Sequence, residues 1–369
     1  MTFDLESFHA QAVQTPSHES VEEMQSLIIN TLESAGICPR TDEHGNIVAT
    51  KGAESGYHLV LNTHLDTVPP HVPYSTADNI PDTDIKGDVV KGRGSCDAKG
   101  PLAALLHAFL SSSPTDGKLT IALTPNEETT QAGAAALKGT LDADGVIVGE
   151  PTDLDVCHAA RGQFEGTVTI TGEAAHAAQP DAGRNAIRAV GPIVDAIDSY
   201  DTTYGPGSHE SLGEPTLTPT VISGGEARNQ IPERCVIEFD RRSVPPESAD
   251  EFEQTFRTHL RAHAPDWVSV TAALADREGP FLEAFSTSPE NQLTKTLADV
   301  SGGDIRPFGA ATEASYFAAH SPTVVFGPGV LADEHGPVAH AQREYVPVNQ
   351  LHEAAQILDE AVTRLVGPE

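Results

Sequence analysis

Short apolar segments recur along this chain at residues 58–63 (HLVLNT), 119–124 (LTIALT), 145–148 (GVIV) and 323–326 (TVVF), and stretches of helical character lie between them. One such stretch opens at Ser20 with Glu23 three residues on, a capping-box pair. Val21, Met24, Leu27, Ile28 and Leu32 form its apolar stripe, and Gly36 ends it. Another opens at Gly100-Pro101, where the missing N–H of proline costs nothing. Strands alternating with helices predict an α/β fold whose sheet is mostly parallel and covered on both faces.

The rhythm changes in the middle. From about residue 161 the pattern reads strand (164–171), helix (184–200), two strands (216–222 and 235–241), helix (247–263) and strand (267–274). That order, β-α-β-β-α-β, is the ferredoxin-like unit. A chain of 369 residues exceeds the roughly 250–300 that one core serves, so a second domain is expected. The expected division is 1–160 plus 276–369 for one domain and an inserted 161–275 for the other. The stretch 202–219 reads as a long surface loop, and no internal repeat is present.

With 54 Asp and Glu against 22 Lys and Arg, the net charge is −32, which repels phosphate and so excludes nucleic acid and anionic membrane as partners. Apolar residues are 38%, and counting glycine brings the content near the roughly 45% of ordinary soluble proteins, so the charge does not signal disorder. Lysine is scarce, seven residues against fifteen arginines. An acidic, lysine-poor chain suits a protein kept hydrated in high salt, where cations screen its self-repulsion. No apolar run approaches the roughly 18–20 residues of a membrane span, and the first residues lack a basic segment followed by an apolar one. A cytoplasmic location is expected. Cys38, Cys96, Cys157 and Cys235 have neither metal-knuckle spacing nor disulfide-scaffold density, so free thiols are expected.

Side chains able to hold a cation gather where strands end. His64 follows the first segment, Glu127 and Glu128 the second, and Glu150 the third, at the carboxyl ends where open α/β sheets build their sites. Asp97 lies in the glycine-rich turn Gly92-Arg-Gly-Ser-Cys-Asp-Ala-Lys-Gly100. That turn lacks the phosphate-loop pattern and puts a carboxylate where an anion would sit. Imidazole with carboxylates suits Zn²⁺, Mn²⁺ or Co²⁺ better than Mg²⁺ or Ca²⁺. Asp66, two residues past His64, would orient its imidazole. Of Glu127 and Glu128, which would diverge if extended, one would bind metal and the other take a proton from water, the pairing that hydrolysis needs.

Five strings now carry a resemblance over nearly the whole chain: His64-Leu-Asp-Thr-Val-Pro69, the glycine-rich turn ending at Gly100, Asn126-Glu-Glu128, Gly149-Glu-Pro151, and His340 with Glu344-Tyr345. They resemble the dinuclear zinc amidohydrolase and peptidase family of acetylornithine deacetylase, succinyl-diaminopimelate desuccinylase, glutamate carboxypeptidase and aminoacylase. The resemblance implies a zinc-peptidase catalytic domain with an inserted lid and dimerisation domain, two Zn²⁺ with Co²⁺ or Mn²⁺ as substitutes, and a homodimer. It implies that Asp97 bridges the metals, that His64 and Glu150 complete one, and that Glu128 and His340 complete the other. Glu127 becomes the general base and Asp66 the group behind His64. His335 competes with His340, and the family pattern His-x-x-x-Glu-Tyr favours His340.

Within the insert, Gly172-Glu-Ala-Ala-His-Ala-Ala-Gln-Pro180 and Gly183-Arg-Asn-Ala-Ile187 are similar to the lid motif, which gives His176 the tetrahedral oxyanion in the partner subunit's site. Asn229 and Arg242 match lid positions that hold the substrate carboxylate, and an arginine fork suits that task. Glu rather than Asp at position 150 accompanies deacylases and carboxypeptidases in this family. Around Gly309-Ala-Ala-Thr-Glu-Ala314, Ala311 replaces a family glycine, and that departure bears on the acyl group. The implied substrate is an N-acyl diamino acid of lysine or arginine biosynthesis, of the succinyl-diaminopimelate or acetylornithine type. A dipeptidase or glutamate carboxypeptidase is the alternative, and a non-catalytic zinc-binding scaffold a remoter one.

Overall fold

The computed structural model describes residues 3–80 and 85–367. The chain divides into two compact units, Met1–Ala159 with Ser286–Glu369, and Ala160–Phe285.

The first unit is built on a nine-stranded sheet. Its strand order is Arg40–Thr41, Ile47–Gly52, Gly117–Thr124, Tyr57–His64, Gly145–Val148, Thr323–Val325, Val156–Ala160 and Phe285–Ser286, with Ile305–Pro307 beside Val156–Ala160. The central pairs are parallel: Tyr57–His64 with both Gly117–Thr124 and Gly145–Val148, and Gly145–Val148 with Thr323–Val325. Antiparallel pairs lie toward the edges. The expected mostly parallel α/β sheet is therefore the observed one. Leu59, Val60, Leu61, Ile121, Leu123, Ile147 and Val324 are all buried, as a sheet covered on both faces requires.

Helices Lys99–Ser111 and Val348–Val366 pack against each other over this sheet. The helix expected after Ser20 is Glu22–Ser34, with Met24, Ile28 and Leu32 buried and Gly36 in the left-handed region at φ +79°. Ser20 Oγ accepts the N–H of Glu22, so it caps one residue earlier than a capping box would. A helix that the sequence reading did not anticipate, Leu5–Gln14, precedes it and is capped by Asp4, whose carboxylate accepts the Ser7 N–H.

The second unit is an antiparallel sheet in the order Thr216–Gly224, Arg234–Arg242, Phe164–Thr171, Ser269–Leu274, with helices Val190–Thr203 and Ala249–His263. In chain order this is strand-helix-strand-strand-helix-strand with the first and third strands central, the ferredoxin-like arrangement. Its own core contains Phe164, Ile170, Ile193, Tyr200, Phe239, Phe252 and Phe256. The first helix begins later than expected at Arg184. Asn185 adopts an extended backbone, and its side chain accepts the N–H groups of Ile187 and Arg188, starting a 3₁₀ turn before the α-helix. Among the described residues no helix is long and apolar enough to cross a membrane.

Candidate active site

The first unit brings His64, Asp97, Glu127, Glu128, Glu150 and His340 to one crevice. His64 is the last residue of Tyr57–His64, Glu150 lies two residues past Gly145–Val148, and Glu127 and Glu128 lie just past Gly117–Thr124. Parallel neighbours in register end at the same level, so their carboxyl ends deliver these side chains together. Glu127 and Glu128 sit in a turn rather than on extended chain. They are held there by Asp66, whose two carboxylate oxygens each accept one of their N–H groups at 3.0 Å.

Three donor sets lie here: His64 with Asp97 and Glu150, Asp97 with Glu128 and His340, and His64 with Glu127 and Glu128; the first two share Asp97. Asp97 Oδ1 lies 3.3 Å from His64 Nε2, and its Oδ2 lies 3.1 Å from His340 Nε2. Each oxygen thus faces a different imidazole, which is the disposition of a bridging carboxylate. Glu150 Oε2 is 4.0 Å from His64 Nε2. Glu128 Oε1 is 2.9 Å from His340 Nε2, yet it is buried without a hydrogen bond of proper geometry. Donors about 3.3 Å apart are what a tetrahedral ion with bonds of about 2.0–2.1 Å requires. His64 Nδ1 donates to the carbonyl of Asp66 at 3.0 Å, which leaves the Nε2 lone pair facing the carboxylates. A lone pair among buried oxygens calls for a cation, so the residues fit a pair of divalent ions.

The electrostatics express the same demand. Burial lifts Glu127 well above the usual carboxylate range and Glu150 to about 8, with neighbouring carboxylates adding to both. Burial alone would lower His64, but Asp66, Asp97, Glu150 and Glu127 outweigh it and raise it well above its ordinary value. The carboxylates of Asp97 and Glu128 facing its ring raise His340 to about 10. Burial would raise Asp97, and the two imidazoles hold it low instead. His340 adopts φ +62°, a left-handed conformation uncommon for a residue with a side chain. His335 is exposed beside Glu334 and joins none of the donor sets.

Residues not singled out from sequence support this crevice. Thr312 Oγ1 donates to Glu150 Oε1 at 3.0 Å. Glu313, fully buried, accepts from the Thr124 hydroxyl at 2.7 and 2.9 Å, and burial raises it to about 7. The departure from the family pattern around Ala311 flagged this segment as unusual without revealing that it braces Glu150. Asp66, expected behind His64, is 3.4 Å from its Nδ1 through the side chain and also anchors the glutamate turn.

In the second unit, His176 ends the short strand Ala175–His176 and lies opposite Gln230, exposed, with its Nδ1 accepting the Ala178 N–H. Asn229 is adjacent and exposed, and its carbonyl accepts the Ala177 N–H. Arg242 points its fork at Asp240, at 2.8 and 3.2 Å, and at Gln163 at 3.0 Å.

Fold and donor sets together define an α/β unit with a candidate two-metal crevice, interrupted by an inserted ferredoxin-like unit. A family model described as a peptidase dimerisation domain of the M20 type matches residues 158–268. The chain is 32% identical over 334 residues to a LysW-lysine/LysW-ornithine hydrolase of Pyrobaculum aerophilum, covering 88% of this chain and 86% of that one. It is 31% identical over 350 residues to an acetylornithine deacetylase of Myxococcus xanthus, covering 91% and 87%. Among solved structures, aminopeptidase PepT of Bacillus cereus shares the fold with a TM-score of 0.79 at 17% identity, covering 99% of this chain and 100% of that one. The YXEP protein of Bacillus subtilis, described as a dinuclear metal-binding peptidase, does so with a TM-score of 0.70 at 14% identity, covering 98% and 97%. This chain belongs to the M20 metallopeptidase family.

Proposed function

We propose that the protein is an amidohydrolase that removes the acyl group from an N-acyl diamino acid, of the acetylornithine or succinyl-diaminopimelate type, in lysine or arginine biosynthesis. The observation that carries this reading is Asp97, with one oxygen toward His64 and the other toward His340, beside the buried carboxylate of Glu127. The names of the curated relatives support the substrate class.

His64, Asp97 and Glu150 would hold one divalent ion and Asp97, Glu128 and His340 a second, with Zn²⁺ the expected metal. Such ions polarise an amide carbonyl and lower the pKa of water. Glu127 takes the proton of the attacking water and hands it to the departing amine, a task suited to a buried carboxylate beside the donor sets. Asp66 aims Glu127 by holding its backbone N–H. In the insert, His176 donates to the oxyanion across a homodimer formed through the second unit, while Asn229 and Arg242 receive the substrate carboxylate. For Arg242 that means exchanging Asp240 for the ligand, a swap a guanidinium fork can make without changing its partner's chemistry. The protein is cytoplasmic and salt-adapted in this reading.

Hydrolysis of N-acetylornithine, N-succinyl-diaminopimelate and a set of dipeptides tests the substrate class. Turnover of the N-acyl compounds without cleavage of dipeptides is expected. Cleavage of dipeptides alone would reassign the protein as a dipeptidase.

A further inference from the structure

The loops that carry Asp97 and His340 are joined by a buried ion pair. Strand Lys86–Lys91 runs into the loop 92–97, strand Tyr345–Pro347 follows the loop 340–344, and the two strands pair antiparallel with Tyr345 opposite Lys91. The two loops therefore leave one sheet side by side. Arg93, only 1% exposed, commits all three guanidinium nitrogens, two of them to the loop 340–344. Its Nε donates to the Pro70 carbonyl at 3.2 Å and its Nη2 to the His340 carbonyl at 3.1 Å. Its Nη1 donates to Glu344 Oε2 at 2.6 Å and to the Ala341 carbonyl at 3.2 Å. The other oxygen of Glu344 accepts the backbone N–H groups of Cys96 and Asp97, each at 3.2 Å. A continuous path of bonds thus runs from the His340 carbonyl through Arg93 and Glu344 to the Asp97 amide.

We propose that Arg93 and Glu344 are positioning residues that fix the distance between Asp97 and His340, and so set the affinity of the cation site those two residues share with Glu128. The inference rests on the reading of these side chains as metal ligands. Two features of the geometry favour it over mere packing. The left-handed backbone of His340 persists only where its surroundings over-determine it, and Arg93 grips that residue by its own carbonyl. The partners also lie in three directions, which a planar fork reaches and a lysine ammonium does not.

The test is titration of metal-free full-length protein with Zn²⁺ and, for a visible spectrum, Co²⁺. Wild type is expected to bind two ions per chain. Arg93→Lys should bind the first like wild type and the second about 10–100-fold more weakly, the usual effect of losing a group that orients a ligand. The double variant Arg93→Met/Glu344→Gln removes both charges of the pair together and carries the same test should Arg93→Lys not fold. Lower melting temperatures with both affinities unchanged would assign the pair a purely structural role and overturn the proposal. Fewer than two ions bound by wild type would overturn the metal reading itself, and the proposal with it.

Discussion

His9 shows how a single buried residue links stability to pH. Its ring is fully buried, and its Nε2 donates to the Ser95 carbonyl at 2.9 Å. Burial, with a smaller push from Lys99, lowers its pKa to about 4 against an ordinary value of 6.5. The folded state therefore prefers neutral imidazole. Above pH 6.5 both states are neutral and the preference costs nothing. As pH falls from 6.5 toward 4, the unfolded chain takes up a proton that the folded chain refuses, and stability is lost. Urea unfolding at pH 7 and pH 4.5 should show wild type losing about 2–3 kcal/mol more than His9→Gln. Equal losses in both proteins would remove His9 from the account.

Among the elements, those fixed by local pattern were legible and those fixed by tertiary contact were not. Residues 58–63, 119–124 and 145–148 are rich in Leu, Val and Ile and buried along their length, and they form the parallel core strands because both faces are covered. The residues that converge on the crevice as candidate metal ligands were legible through their positions at strand ends and through five motifs. Their supports were hidden: Thr312 and Glu344 reach Glu150 and Asp97 through bonds spanning 162 and 247 positions of chain, distances at which no periodicity speaks. Consecutive glutamates read as extended chain also misled, because the Asp66 carboxylate folds them into a turn from 61 residues away. The late start of the second unit's first helix is likewise a matter of one side chain. Asn185→Ala should remove its two cap bonds and lower unfolding stability by about 1 kcal/mol, measured by thermal or urea melts, and an unchanged midpoint would deny Asn185 that role.

For the whole molecule, the charge of −32 divides in two. Asp97, Glu127, Glu128 and Glu150 converge on a crevice where two divalent ions would balance them, while the rest of the excess acts as general self-repulsion. Screening weakens the second part, so the unfolding midpoint should rise as KCl is raised from low to molar concentration, and a flat or falling midpoint would sink the idea of salt adaptation. The central claim is that this crevice is a hydrolytic centre in which Glu127 moves the proton, and the most direct measurement is turnover and metal content of Glu127→Ala beside wild type. The account predicts equal metal content, with the rate on N-acyl diamino acids reduced by roughly 10²–10⁴-fold or more. Near-normal turnover in the variant would contradict it.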